Sequence, residues 1–202
     1  MTLHYRQTGK GPALILIHGL FGSSDNWMHL AKDLSERFEV FMPDMRNHGR
    51  SPHYSTMNYY AMAEDIHDFM QTHKIENAIL VGHSMGGKAA MQAAINYPQI
   101  INKLVVIDMG IKKYPLRHIH YINTMLDVNF DRYNKRKEVE DFFMTQINDE
   151  RTVQMLLKNL EWKNKNRLGW RINIDAVYNN IDAILDAIDT AGTFEKPTLF
   201  VK

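Results

Sequence analysis

Ala78-Ile79-Leu80-Val81-Gly82-His83-Ser84-Met85-Gly86 is the stretch that decides the fold. Its first four residues are continuously apolar rather than alternating, the pattern of a strand buried on both faces of a parallel sheet. Gly-x-Ser-x-Gly follows at once, and the segment from Met85 to Tyr97 has helical character up to Pro98. A strand turning sharply into a helix at this motif lifts a serine hydroxyl clear of the sheet edge. The glycines let a strained backbone pass without Cβ clashes. The helix N-terminus behind the serine offers N–H groups and a positive dipole end to a developing oxyanion. Ser84 therefore reads as a nucleophile, against the plainer alternative of a structural turn.

Working outward, the same alternation repeats. Leu3 to Thr8 reads as an opening strand, and Ala13 to Ile17 as a buried strand ending in His18-Gly19. Ser23 or Ser24 can cap a helix carrying Trp27, Leu30, Ala31 and Leu34 at helical spacing. Glu39 to Met42 is a further buried strand. Ser55 or Thr56 introduces a helix running to about Lys74, and Leu104 to Ile107 is the next strand. Strands alternating with helices predict an α/β fold with a mostly parallel sheet flanked by helices.

After Gly110 the rhythm changes. The segment from Pro115 to Asp189 is helical in pattern, with an apolar stripe at Ile174, Val177, Ile181, Ile184 or Leu185, and Ile188. It reads as a helical lid inserted between two sheet strands, with Leu126, Phe130, Phe142 and Phe143 as candidates to shape a pocket. The sheet resumes at Thr198-Leu199-Phe200-Val201. The expected organisation is a core over 1–114, a lid over 115–190 and a resumed core strand in 191–202.

Composition narrows the function classes. Lys plus Arg number 24 against 23 Asp plus Glu, a balance without the electrostatic footprint of a nucleic-acid or anionic-membrane binder. Cysteine is absent, which excludes disulfides, thiolate metal sites and cysteine nucleophiles and suits the cytosol. Neither a signal peptide nor an apolar run near the roughly 20 residues of a membrane span is visible. No His-Glu-x-x-His or comparable cluster points to a metal, and no dinucleotide fingerprint points to a cofactor. The expectation is a cytoplasmic protein acting on a small molecule without nucleic acid, metal or cofactor.

In a parallel sheet, loops at the strands' C-terminal ends share one edge, so His18-Gly19-Leu20-Phe21-Gly22 should face Ser84. Its glycines suit a backbone that presents an N–H to a ligand. The Leu20 and Met85 N–H groups are the candidate oxyanion donors. Phe21 is the alternative to Leu20, or else a wall of the acyl pocket. His18 reads as a structural residue orienting the loop. His83 adjoins Ser84 but points away at a sharp turn, so it is a candidate pocket residue and a poor base.

Together the elbow, the His-Gly-x-x-Gly loop and Asp44-Met45-Arg46-Asn47-His48-Gly49-Arg50-Ser51 resemble the α/β-hydrolase superfamily. More narrowly, Gly82-His83-Ser84-Met85-Gly86-Gly87-Lys88, Val106-Ile107-Asp108 and Trp170-Arg171-Ile172-Asn173 resemble the YbfF-type bacterial esterases and their mitochondrial relatives. The resemblance implies a serine esterase with a helical lid, acting on short-to-medium acyl esters or thioesters. It places the triad acid at Asp108, at the end of the strand before the lid, where a carboxylate would hold the histidine's Nδ1–H. The stretch from Asp44 to Ser51 reads as a tightly ordered loop, with His48 or Arg50 at the pocket mouth as the minority view.

The general base of such a site should follow a final strand, and no histidine follows His120. A complete fold would add roughly 50 residues after Val201, so the fold is expected to be C-terminally truncated. Among the histidines present, His118 and His120 in the lid, and His48 and His53 on a facing loop, are weak substitutes because a triad needs held geometry. Loss of the histidine from a comparable triad costs about 10⁶-fold in turnover. The alternative to an esterase is thus an inactive truncated form or a non-catalytic ligand-binding protein. A partner chain supplying strand and base is a further option. The last strand would also leave an exposed apolar edge through which copies of the chain could associate.

Overall fold

The computed structural model describes residues 2–116 and 119–202. Continuous apolar runs become the parallel core of a six-stranded sheet. The elements are β1 (Tyr5–Thr8), β2 (Ala13–Ile17), α1 (Met28–Leu34), β3 (Glu39–Pro43), α2 (Tyr59–Thr72), β4 (Ala78–His83), α3 (Met85–Asn96) and β5 (Ile101–Ile107). There follow α4 (Ile119–Leu126), α5 (Arg136–Gln146), α6 (Glu150–Leu157), β6 (Leu160–Asn164), β7 (Arg167–Trp170), α7 (Ile174–Asn179), α8 (Ile181–Leu185) and β8 (Thr198–Val201).

The strand order is β1-β3-β2-β4-β5-β8, with β1 antiparallel to β3 and the other pairs parallel. Because side chains alternate along a strand, β2 feeds two layers. Ile15 and Ile17 enter the large core beneath α2 and α3, while Leu14 and Leu16 join Ala31 of α1, Val40 and Met42 on the other face. In α3, Ala89, Ala90, Ala93 and Ala94 are all buried, and their small side chains let the helix lie close on the sheet. The C-terminal ends of β2, β4 and β5 consequently meet on one edge, Ile17 beside Gly82 and His83 beside Ile107.

Several elements differ from the sequence-based expectation. The opening strand begins at Tyr5, and α2 begins at Tyr59, because Asn58 is the residue whose side chain accepts the Ala61 N–H and caps the helix. The segment between β5 and β8 is not all helix: β6 and β7 form an antiparallel hairpin whose turn is closed by Asn166 N–H donating to Asn164 Oδ1 at 3.0 Å. Glu161, Lys163 and Arg167 interrupt the apolar residues of its strands, so no apolar run announces them. The apolar stripe from Ile174 to Ile188 is broken at Asn180 into α7 and α8, though every member is buried. Along α1, Ala31 is buried but Leu30 is 40% exposed. No helix among the described residues is long and apolar enough to cross a membrane.

Candidate active site

Ser84 sits between β4 and α3 with φ 51° and ψ −120°, a region non-glycine residues rarely adopt. Three backbone hydrogen bonds hold it there: Ser84 N–H donates to Ile107 O at 3.0 Å, and Ser84 O accepts the N–H groups of Gly87 at 2.8 Å and Lys88 at 3.2 Å. The turn is sterically closed around Gly86, where a Cβ would lie 2.4 Å from Ile17 O and 2.5 Å from His18 O. Such a contact with backbone atoms of Ile17 in β2 and of His18 after it has no cheap relief, which is the local reason for glycine two residues past the serine.

The loop after β2 approaches the same point. A Cβ on Gly19 would come within 3.3 Å of Ser84 Cβ. Among the described residues neither the Leu20 nor the Met85 N–H has an internal acceptor. Both residues line a cavity of about 520 Å³ that Ser84 also lines. Phe21 takes a different place. With φ 64° it turns its side chain into the core, 4% exposed, and it is not part of the cavity wall. Its carbonyl accepts Asn159 Nδ2–H at 2.9 Å. Asn159, buried just after α6, thus ties the inserted segment to this loop, a role its sequence context did not signal.

Asp108 follows β5 directly and is exposed, with φ 50° and its N–H donating to Val201 O at 2.8 Å. It lines the cavity with Ser84, so the two sequence candidates for nucleophile and acid share one space. Tyr59, Lys88, Tyr114, Ile184 and Leu185 complete much of the wall. Leu126, Phe130, Phe142 and Phe143 do not line it; they pack in the core of the inserted segment, as in the Phe130–Trp170 edge contact at 5.3 Å.

The histidines have other employment. His18 is buried, its Nε2 accepts Met45 N–H at 3.0 Å and its Nδ1 lies 2.9 Å from Gly19 O, the pattern of a neutral ring with the proton on Nδ1. Burial holds its pKa below the usual value. His48 is buried against Arg46 O, and burial, aided by His18, pushes its pKa down to about 3. His53 and His120 meet the carbonyls of Arg171 and Gln146. His83 is exposed and borders a smaller cavity of about 250 Å³ with His18, Leu20, Trp27 and Met155. No histidine among the described residues lines the cavity of Ser84; His118 lies outside the described residues.

The loop from Asp44 to Ser51 is an ordering device. Asp44 accepts the N–H groups of Ser24 at 2.6 Å and Arg50 at 2.9 Å, and His4 Nδ1 lies 2.9 Å away. Burial raises its pKa, but the bonds from Ser24 and Arg50 outweigh this and leave it lowered. Arg46 meets Asp65 through two hydrogen bonds at 2.5 and 2.7 Å and also donates to the carbonyls of Thr56 and Ala61. Neither His48 nor Arg50 borders the cavity.

A doubly covered parallel sheet with a strained serine turn at its carboxyl edge defines a hydrolase architecture. The family model described as alpha/beta hydrolase fold matches residues 12–181, and the chain belongs to that family. Among its relatives is the Escherichia coli protein named Esterase YbfF, 34% identical over 93% of this chain and 72% of the relative. The Danio rerio protein named sn-1-specific diacylglycerol lipase ABHD11 is 36% identical over 96% of this chain and 64% of its own length. A solved structure titled Marine microorganism esterase superposes with a TM-score of 0.94 at 38% identity, covering 98% of this chain and 79% of that one. The chain spans about two thirds of the length of several curated relatives, 64% for the vertebrate lipases.

Proposed function

We propose that this chain carries the acyl-transfer site of a serine ester hydrolase acting on short-to-medium acyl esters, with acyl thioesters as a second substrate class. As its proton passes to a base, Ser84 Oγ attacks the acyl carbonyl carbon and forms the C–O bond of a tetrahedral intermediate, the proton then going to the departing alcohol or thiol. The Leu20 and Met85 N–H groups stabilise the oxyanion. Expulsion of the alcohol or thiol leaves an acyl-Ser84 ester that water then hydrolyses. Asp108 is the acid that would orient and stabilise a histidine base brought to the cavity, since no histidine among the described residues lines it. Residues 115–190 serve as the lid, whose Ile184 and Leu185 wall the acyl site.

One observation carries this reading: Ser84, Leu20, Met85 and Asp108, drawn from the ends of three neighbouring strands, line a single cavity. The names of the relatives support ester chemistry. Incubation with p-nitrophenyl butyrate, followed by intact-protein mass and peptide mapping, tests it. A butyryl group on Ser84, absent from Ser84→Ala, is the expected result. Acylation elsewhere, or equally in both proteins, overturns it.

A second reading, a ligand-binding protein without turnover, is favoured by the absence of histidine from the cavity wall among the described residues. Butyrate binding to both wild type and Ser84→Ala, with no adduct and no Ser84-dependent hydrolysis, would select that reading.

A further inference from the structure

Lys88 lies one turn after Ser84 on α3, is 1% exposed, and lines the same cavity. Burying an ammonium carries a large desolvation penalty, whereas methionine would fill similar volume without it. Among the described residues Lys88 forms no ion pair. Its partners are carbonyls: Nζ donates to Leu185 O at 3.2 Å and to Asp186 O. Those two oxygens end α8, a helix of five residues that is too short to be stable alone.

The end of α8 is received by the core at several points. Tyr59 Oη–H donates to Ile184 O, and Tyr114 N–H donates to Leu185 O at 2.9 Å. The Lys88 ammonium faces the rings of Tyr59 at 5.4 Å and Tyr114 at 5.0 Å. Two residues later Ile188 N–H donates to Ile111 O, and Asp189 N–H donates to Gln92 Oε1 at 3.0 Å. A positive group at a helix C-terminus satisfies carbonyls that the helix cannot and opposes the negative end of the peptide dipoles. Burial pushes the Lys88 pKa down to about 8, with Asp186 opposing, so the ammonium form persists at neutral pH.

We propose that Lys88 is a positioning residue that sets acyl-chain length: by clamping the end of α8 onto α3, the helix that follows Ser84, it fixes the Ile184–Leu185 wall and limits how long an acyl chain the cavity accepts. The inference rests on the ester-hydrolase reading for its substrate class, but the clamp itself is a matter of cavity size and can be read by binding alone. A lysine is suited to this because its ammonium reaches two consecutive carbonyls while its stem packs in the cavity wall. Releasing it lets α8 recede and lengthens the acyl site.

The test compares wild type, Lys88→Met and Tyr59→Phe, the last removing the neighbouring tether to Ile184 by a near-isosteric change. Binding of butyrate and dodecanoate is measured by calorimetry, and hydrolysis of p-nitrophenyl butyrate and dodecanoate by kcat and KM. Hydrogen exchange is followed at residues 184–188. Both variants are expected to shift the dodecanoate-to-butyrate preference by about tenfold, the scale of a pocket-length change. The shift should be larger in KM than in kcat and accompanied by faster exchange at the end of α8. Unchanged chain-length preference in folded variants, by binding and hydrolysis alike, overturns the proposal. If binding preference shifts while no Ser84-dependent hydrolysis is seen in any protein, the clamp is supported and the hydrolase reading fails.

Discussion

The backbone N–H of Ser84 donates to the carbonyl of Ile107 at 3.0 Å, the last residue of the strand before Asp108. The Ser84 turn and the strand end at Asp108 are therefore one hydrogen-bonded unit, and Ser84 and Asp108 both hold positive φ. Strain at two adjacent strand ends persists only where surrounding packing over-determines it. Here α3 beneath the turn and the β2 loop beside it supply that packing.

Gly86→Ala tests the steric closure. The added methyl would meet Ile17 O and His18 O at 2.4 and 2.5 Å, and overpacking of this kind costs about 1–3 kcal/mol. Urea unfolding should show a lowered midpoint with an unchanged slope. A midpoint equal to wild type would mean the turn is looser than its geometry indicates.

The Arg46–Asp65 pair should prove costly to break from one side. Both side chains are largely buried, at 10% and 2% exposure, and an uncompensated buried charge costs about 3–5 kcal/mol. Arg46→Leu should therefore destabilise strongly, while the double change Arg46→Leu, Asp65→Leu should recover much of the loss. Equal destabilisation by the single and double variants in chemical denaturation would contradict a pair-dependent effect.

Stability should fall in mild acid. His48 titrates at about 3 in the fold, below its ordinary 6.5, because burial disfavours its charged form. Between those values the unfolded chain binds the extra proton. The stabilisation is complete above pH 6.5 and is lost as pH falls toward 3, by about 1.4 kcal/mol per pH unit. His18, shifted in the same direction, adds to the trend. Urea midpoints from pH 7 to 4 should decline in wild type and less steeply in His48→Gln; parallel curves would exclude His48 as a source.

The sheet was legible because buried parallel strands leave uninterrupted apolar runs such as Ala13–Ile17 and Ala78–Val81, and because Gly82, Ser84 and Gly86 mark a turn with few alternatives. The cavity was only half legible. Ser84, Met85, Leu20 and Asp108 follow strands and could be placed by topology. Tyr59, Lys88 and Tyr114 reach the same space from α2, α3 and the loop after β5 through long-range packing that leaves no local pattern. The hairpin Leu160–Trp170 leaves no clear signal because charged residues interrupt its apolar ones, and Phe21, one candidate wall of the acyl pocket, has positive φ and is buried in the core outside the cavity lining. Lys88 carries a signal: a cation in an alanine-rich helix whose residues 85–94, Lys88 included, are buried.

The most direct test of the central claim is p-nitrophenyl butyrate hydrolysis by wild type and Ser84→Ala across an imidazole titration, with imidazole serving as an external base. The account predicts a wild-type rate that exceeds Ser84→Ala and a difference that grows with imidazole concentration, since serine at its ordinary pKa needs a base to attack. Identical rates for the two proteins at every imidazole concentration would contradict it, and Ser84 would then be a strained turn without nucleophilic function.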